Sequence, residues 1–127
     1  MATITPPHLR GVLPEASWDT ECLYELDLPV TALAIGELTW LLDQPLWSSQ
    51  PPEPLFDLAP RDVMRGAVLH AEHTRRIDDA DLSLPLLVTR HAGRWVTLDG
   101  LHRLVRYLQE DRRHVLVHIV PRSLLDD

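Results

Sequence analysis

The chain has no lysine: all 12 of its basic residues are arginine. That excludes lysine Schiff-base chemistry and the lysine of a P-loop. The single cysteine, Cys22, excludes an intramolecular disulfide and a Cys-rich zinc site, and its expected state is a buried, inert thiol. No run approaches the roughly 18 apolar residues that a bilayer span requires. Met1 to Arg10 has neither the basic start nor the apolar stretch of a signal peptide. The expectation is a soluble, cytoplasmic protein without a membrane partner. Also missing are a Gly-rich phosphate loop, a recognisable Ser–His–Asp string and an RNA-binding aromatic motif.

A length of 127 residues, 45% apolar and 24% charged, suits one domain around one core. The formal net charge of −7 disfavours nucleic acid as a partner, because non-specific binding depends on neutralising phosphates. A local arginine pocket for a phosphate-bearing small molecule stays open.

Residues 1–20 mix Pro6, Pro7 and Pro14 with polar residues and read as an N-terminal arm, leaving 21–127 as the domain. Leu23, Tyr24, Leu26, Leu28 and Val30 suggest a short strand, and Ile35, Leu38, Leu41 and Leu42 a short helix. The proline-rich stretch Ser48 to Pro54 is a surface loop, and Trp47 beside it is placed to cover a ligand or partner. A helix is expected over about Pro60–Arg76 despite Gly66, with His70 and His73 on one face as a weak metal pair. Leu86-Leu87-Val88 and Trp95–Leu98 read as strands around a turn at His91-Ala92-Gly93. Leu101, Leu104, Val105 and Leu108 form one face of a helix from Gly100 to about Glu110. The alternation Val115, Val117, Ile119 gives a last strand, stopped by Pro121.

The junction Asp99-Gly100-Leu101-His102-Arg103 is the candidate site. A helix N-terminus offers unpaired amides and a positive dipole end. Gly100 allows close approach to the backbone, and His102, Arg103 and Arg106 are expected to face outward as donors to a phosphate or other anion. Asp99 is open to capping the helix, holding a metal or orienting a hydroxyl.

The strings Leu84-Pro85-Leu86-Leu87-Val88 and Trp95-Val96-Thr97-Leu98-Asp99-Gly100-Leu101-His102-Arg103-Leu104 resemble the ParB/sulfiredoxin-like superfamily over roughly residues 80–121. The resemblance implies a single α+β domain, a small mixed sheet packed with helices. It also implies a nucleotide-binding site in which Gly100, His102 and Arg103 contact phosphates of ATP, ADP or CTP with Mg²⁺, and Leu101 and Arg106 join the binding set by their place at the start of the same helix. Asp99 would serve the metal or the acceptor hydroxyl, and a glutamate, Glu72 or else Glu37, would complete a catalytic set. Asp99 where sulfiredoxins need cysteine argues against sulfinic acid reduction, and no helix-turn-helix follows the motif within the 127 residues. The functions implied are a small phosphotransferase or nucleotide hydrolase, or a non-catalytic interaction module of the same fold, with a ParB-like nuclease less favoured. Expected partners are a nucleotide or phosphorylated small molecule and a second copy of the chain.

Overall fold

The computed structural model describes residues 2–14 and 16–125; positions 1, 15, 126 and 127 of the expected arm and domain lie outside them. In chain order the elements are β1 (Ala2–Ile4), β2 (Ser17–Asp19), α1 (Thr20–Glu25), β3 (Val30–Ala34), α2 (Pro60–Met64), α3 (Ala71–Asp78), β4 (Leu86–His91), β5 (Arg94–Asp99), α4 (Leu101–Gln109) and β6 (His114–Ile119). Short 3-10 turns at Ile35–Glu37 and Thr39–Asp43 join β3 to the proline loop. The chain is an α+β domain with a four-stranded mixed sheet and four α-helices. None of its described helices is long and apolar enough to cross a membrane.

The sheet runs β3-β6-β4-β5. β4 pairs parallel with β6 and antiparallel with β5, and β3 pairs antiparallel with β6. Ala92 and Gly93 link β4 to β5 with φ of 51° and 77°, the positive pair that a two-residue type I′ hairpin demands. β4 opens with three consecutive apolar residues, Leu86–Val88, because both of its faces are covered there. Leu86 and Val88 pack with Val96, Leu104, Val105, Val115 and Val117 in the larger core. Leu87 faces the smaller core with Trp18, Leu23, Leu98 and Val120. The segment expected to be an arm supplies Leu9 and Leu13 to the first core and Ala16 and Trp18 to the second.

Three local expectations need correction. The strand expected from Leu23 to Val30 is helix α1, followed by a strand that starts only at Val30. Asp19 caps that helix by accepting from the Cys22 amide, and a capped turn outweighs a weak alternation of leucines. The long helix over Pro60–Arg76 is two helices. Gly66, with φ of 75°, ends α2 in the left-handed conformation that glycine tolerates best, and α3 restarts after His70. Cys22 is exposed, not buried; the charge of Asp19 beside it pushes its thiol pKa up, which keeps it protonated.

Candidate functional site

Gly100 turns the chain from β5 into α4 at φ of 109°, a conformation that L side chains rarely adopt. A Cβ there would lie 2.7 Å from Leu86 Cγ, so the position is closed to other residues on two counts. Gly100 is the N-cap and offers no capping side chain. The first amide of the helix to find an intrahelical partner is Leu104, which donates to the Gly100 carbonyl at 2.9 Å. The amides of Leu101, His102 and Arg103 therefore begin the helix uncapped, at its positive end. They sit at a cavity of about 260 Å³ lined by Trp47, Leu98 and Asp99–Arg103.

Arg103 does not extend into solvent as the sequence suggests. Its Nη1 donates to the Leu84 carbonyl (3.1 Å) and the Pro85 carbonyl (2.8 Å). Its Nη2 donates to the Tyr24 hydroxyl (2.9 Å) and to Asp99 Oδ2 (3.0 Å). The guanidinium thus ties α1, the entry to β4 and the end of β5 to α4. The Tyr24 hydroxyl lies 3.0 Å from both Asp99 Oδ2 and the Pro85 carbonyl, and its one proton can serve only one of them at a time. Burial, reinforced by the Asp99 charge, pushes the Tyr24 pKa up to about 12. Asp99 is therefore a strut in an Asp–Arg–Tyr triad, and Oδ1 is the oxygen left for a ligand.

His102 is drawn inward as well. Its ring stacks on Trp47 at 4.2 Å and 12°, and the His73 ring stacks on the same indole at 4.5 Å and 6°. The two imidazoles are only 5.1 Å apart, too close to lie on opposite faces of Trp47, so they sit side by side on one face. His102 Nε2 and His73 Nδ1 are 2.9 Å apart, and His73 Nε2 is 2.6 Å from the Ser48 carbonyl. A carbonyl only accepts, so His73 carries its proton on Nε2 and, when neutral, accepts from His102 at Nδ1. His102 Nδ1 is then the lone-pair nitrogen left over, on a ring that lines the cavity. Burial lowers both pKa values, that of His102 to about 3, with His73 and Arg76 adding to the effect.

The remaining sequence candidates lie elsewhere. Arg106 pairs with Glu110 at 2.6 Å and donates to the Asp78 carbonyl. Glu72 pairs with Arg76 at 3.1 Å and lines neither this cavity nor the adjoining one. Glu37 sits in an exposed 3-10 turn. The expected metal pair is spent on backbone: His70 caps α3 through Nδ1, and its Nε2 meets the Ser49 carbonyl at 2.8 Å. Among the described residues, no group of three or more His, Cys, Asp or Glu side chains is arranged to hold a metal ion.

Three residues that sequence spacing does not connect to the motif complete the site. Tyr24 reaches Asp99 across 75 positions, and Trp47 and His73 enclose His102. Trp47 and His102 also line a second cavity of about 370 Å³, formed with the proline loop. Compared with protein-family models, curated proteins and solved structures, the chain matches none.

Proposed function

We propose that the protein binds a phosphate-bearing small molecule, a nucleotide or a phosphorylated metabolite, on the amides of Leu101, His102 and Arg103. One observation carries the reading: an uncapped helix N-terminus opens on a cavity of about 260 Å³ beside Arg103. Helix dipole and free amides favour an anion there. Because Asp99 already balances Arg103, the backbone supplies most of the attraction and the guanidinium acts chiefly as scaffold. The larger cavity beside Trp47 gives room for the rest of a nucleotide. Any Mg²⁺ would arrive on the phosphates, with Asp99 Oδ1 as the protein's contribution. Calorimetric titration with ATP, ADP, CTP and GTP in Mg²⁺ tests this; no heat with any of them sinks it.

In the phosphotransferase form of this reading, an acceptor oxygen bonds to the γ-phosphorus, the bond to the nucleoside diphosphate oxygen breaks, and the acceptor proton passes to a base. Glu72 is turned to Arg76, outside both cavities. That placement favours a second reading, in which the fold binds its ligand without turnover and serves as a regulatory or interaction module. Phosphorylated product in a radiolabelled ATP assay decides for the enzyme; binding with none decides for the module.

A further inference from the structure

The four-stranded sheet has two edges, and they are finished differently. Along β5 the indole N–H groups of Trp40 and Trp18 donate to the Trp95 and Leu98 carbonyls, at 3.2 and 3.3 Å. Along β3 no described side chain does the same. β3 pairs on one side only, with β6, from Val30↔His118 to Ala34↔His114. In the same register the Ile35 amide donates to the Arg113 carbonyl at 2.9 Å. Backbone groups in an antiparallel pair face the partner strand at every second residue. Thr31 and Leu33 therefore bond to β6, while Val30, Ala32 and Ala34 turn their N–H groups away from it. Those three amides, and the Val30 and Ala32 carbonyls, have no partner among the described residues.

This edge also lacks what ordinarily keeps strands apart. Protected edges carry charge, proline or a bulge, or lie under a helix or loop. Val30-Thr31-Ala32-Leu33-Ala34 has no charged residue and no proline, its register with β6 has no bulge, and every residue but Leu33 is exposed. The net charge of −7 thus has no representative on β3. Val30, Ala32 and Ala34 share a sheet face with their neighbours His118, Leu116 and His114 on β6. On that face Val30 is 52% and Leu116 39% exposed. A row of free amides and carbonyls is specific for one chemistry, another extended strand. β3 matches itself in this respect. Turned about a two-fold axis at Ala32, it sets Ala32 against its own counterpart and Val30 against Ala34, large against small at both ends. Each outward amide then meets a carbonyl of the facing strand.

We propose that β3 is a self-association edge: a second copy of the chain adds its β3 antiparallel about Ala32 and joins the two four-stranded sheets into one. Leu116 of each copy flanks the alanine pair on the outer face, with Val30 at either end. Five residues of strand with these side chains beside them fall at the low end of specific interfaces, below about 1,200 Å² in total. The dimer is therefore reversible, with a dissociation constant in the micromolar range. β3 supplies none of the residues that line the cavity at the start of α4, so this inference and the anion-site reading stand or fall separately.

The test is sedimentation equilibrium of the full chain from about 1 to 500 µM, with Ala32→Lys and Ala32→Glu run alone and mixed. Ala32 is exposed and its backbone groups bond nothing in the single chain, so both variants keep the fold, and thermal melting verifies it. Wild type should pass from monomer to dimer across that range. Each variant alone sets like charges opposite each other at the axis and should dimerise at least tenfold more weakly. An equimolar mixture sets lysine against glutamate and should regain the dimer. Amide exchange at Val30, Ala32 and Ala34 should slow as the wild-type concentration rises. A wild type that stays monomeric to the top of the range overturns the proposal. So does a dimer that both variants leave intact, or a mixture no tighter than its components, since either places the contact elsewhere.

Discussion

Lowering the pH should destabilise this protein through His102. Its ring is stacked on Trp47 and hydrogen-bonded to His73, and burial holds its pKa at about 3 against an ordinary value of 6.5. Between those values the unfolded chain binds a proton that the native state refuses, so stability falls as the pH falls through that window. At pH 5.0 the cost from His102 alone is about 2 kcal/mol relative to pH 7.5, rising by about 1.4 kcal/mol for each further unit. His73, lowered in the same direction by burial, adds to the loss. The hydrogen-bonded carboxylates of Asp57, Asp81 and Glu110 act in a lower window. Their pKa values are pulled below the ordinary 3.8 and 4.5, so their contribution is largely intact at pH 5.0. Urea denaturation followed by Trp fluorescence at pH 7.5 and 5.0 measures the effect. His102→Phe, which keeps a flat ring against Trp47, should lose about 2 kcal/mol less than wild type over the same interval. Equal losses in the two proteins, or no loss in wild type, would refute the buried neutral pair.

Further outcomes follow from the same contacts. Arg103→Ala strips four hydrogen bonds from a side chain that is 14% exposed and should cost about 2–4 kcal/mol in chemical denaturation; Arg103→Lys, unable to fork, should recover less than half. Gly100→Ala meets both a strained φ and Leu86 Cγ at 2.7 Å, and a loss of roughly 2–4 kcal/mol is expected by the same assay. In an alkaline absorbance titration one of the two tyrosines should ionise late, near pH 12, and Tyr24→Phe should remove that step. Glu72→Gln should alter stability by less than about 1 kcal/mol in the same denaturation assay, since its ion pair with Arg76 is largely solvent-accessible.

The C-terminal third was legible in the sequence because its signals agree with one another. Ala92-Gly93 fits a tight hairpin, the strands beside it are apolar and β-branched, and Leu101, Leu104 and Val105 fall on one helical face. The N-terminal half was harder for identifiable reasons. Leu26, Leu28 and Val30 imitate a strand, and only the Asp19 cap and the turn before Pro29 betray α1. Gly66 counted as a weak point in a helix when it was the end of one. At the site, Asp99 to Arg103 stood out through glycine, charge and position, which are local properties. What those side chains do depends on distant partners. Arg103 is satisfied by Tyr24 and two carbonyls, and His102 by Trp47 and His73, so residues expected to face outward are drawn into the fold. No periodicity encodes a contact between residues 75 positions apart.

The measurement closest to the central claim is an ¹H–¹⁵N correlation titration of the full chain with inorganic phosphate, then with ATP and CTP in Mg²⁺. Saturable shifts centred on the Leu101, His102 and Arg103 amides are the predicted result, since those groups begin α4 uncapped. Shifts absent from these three amides, or scattered over exposed arginines and falling away with added salt, would contradict it.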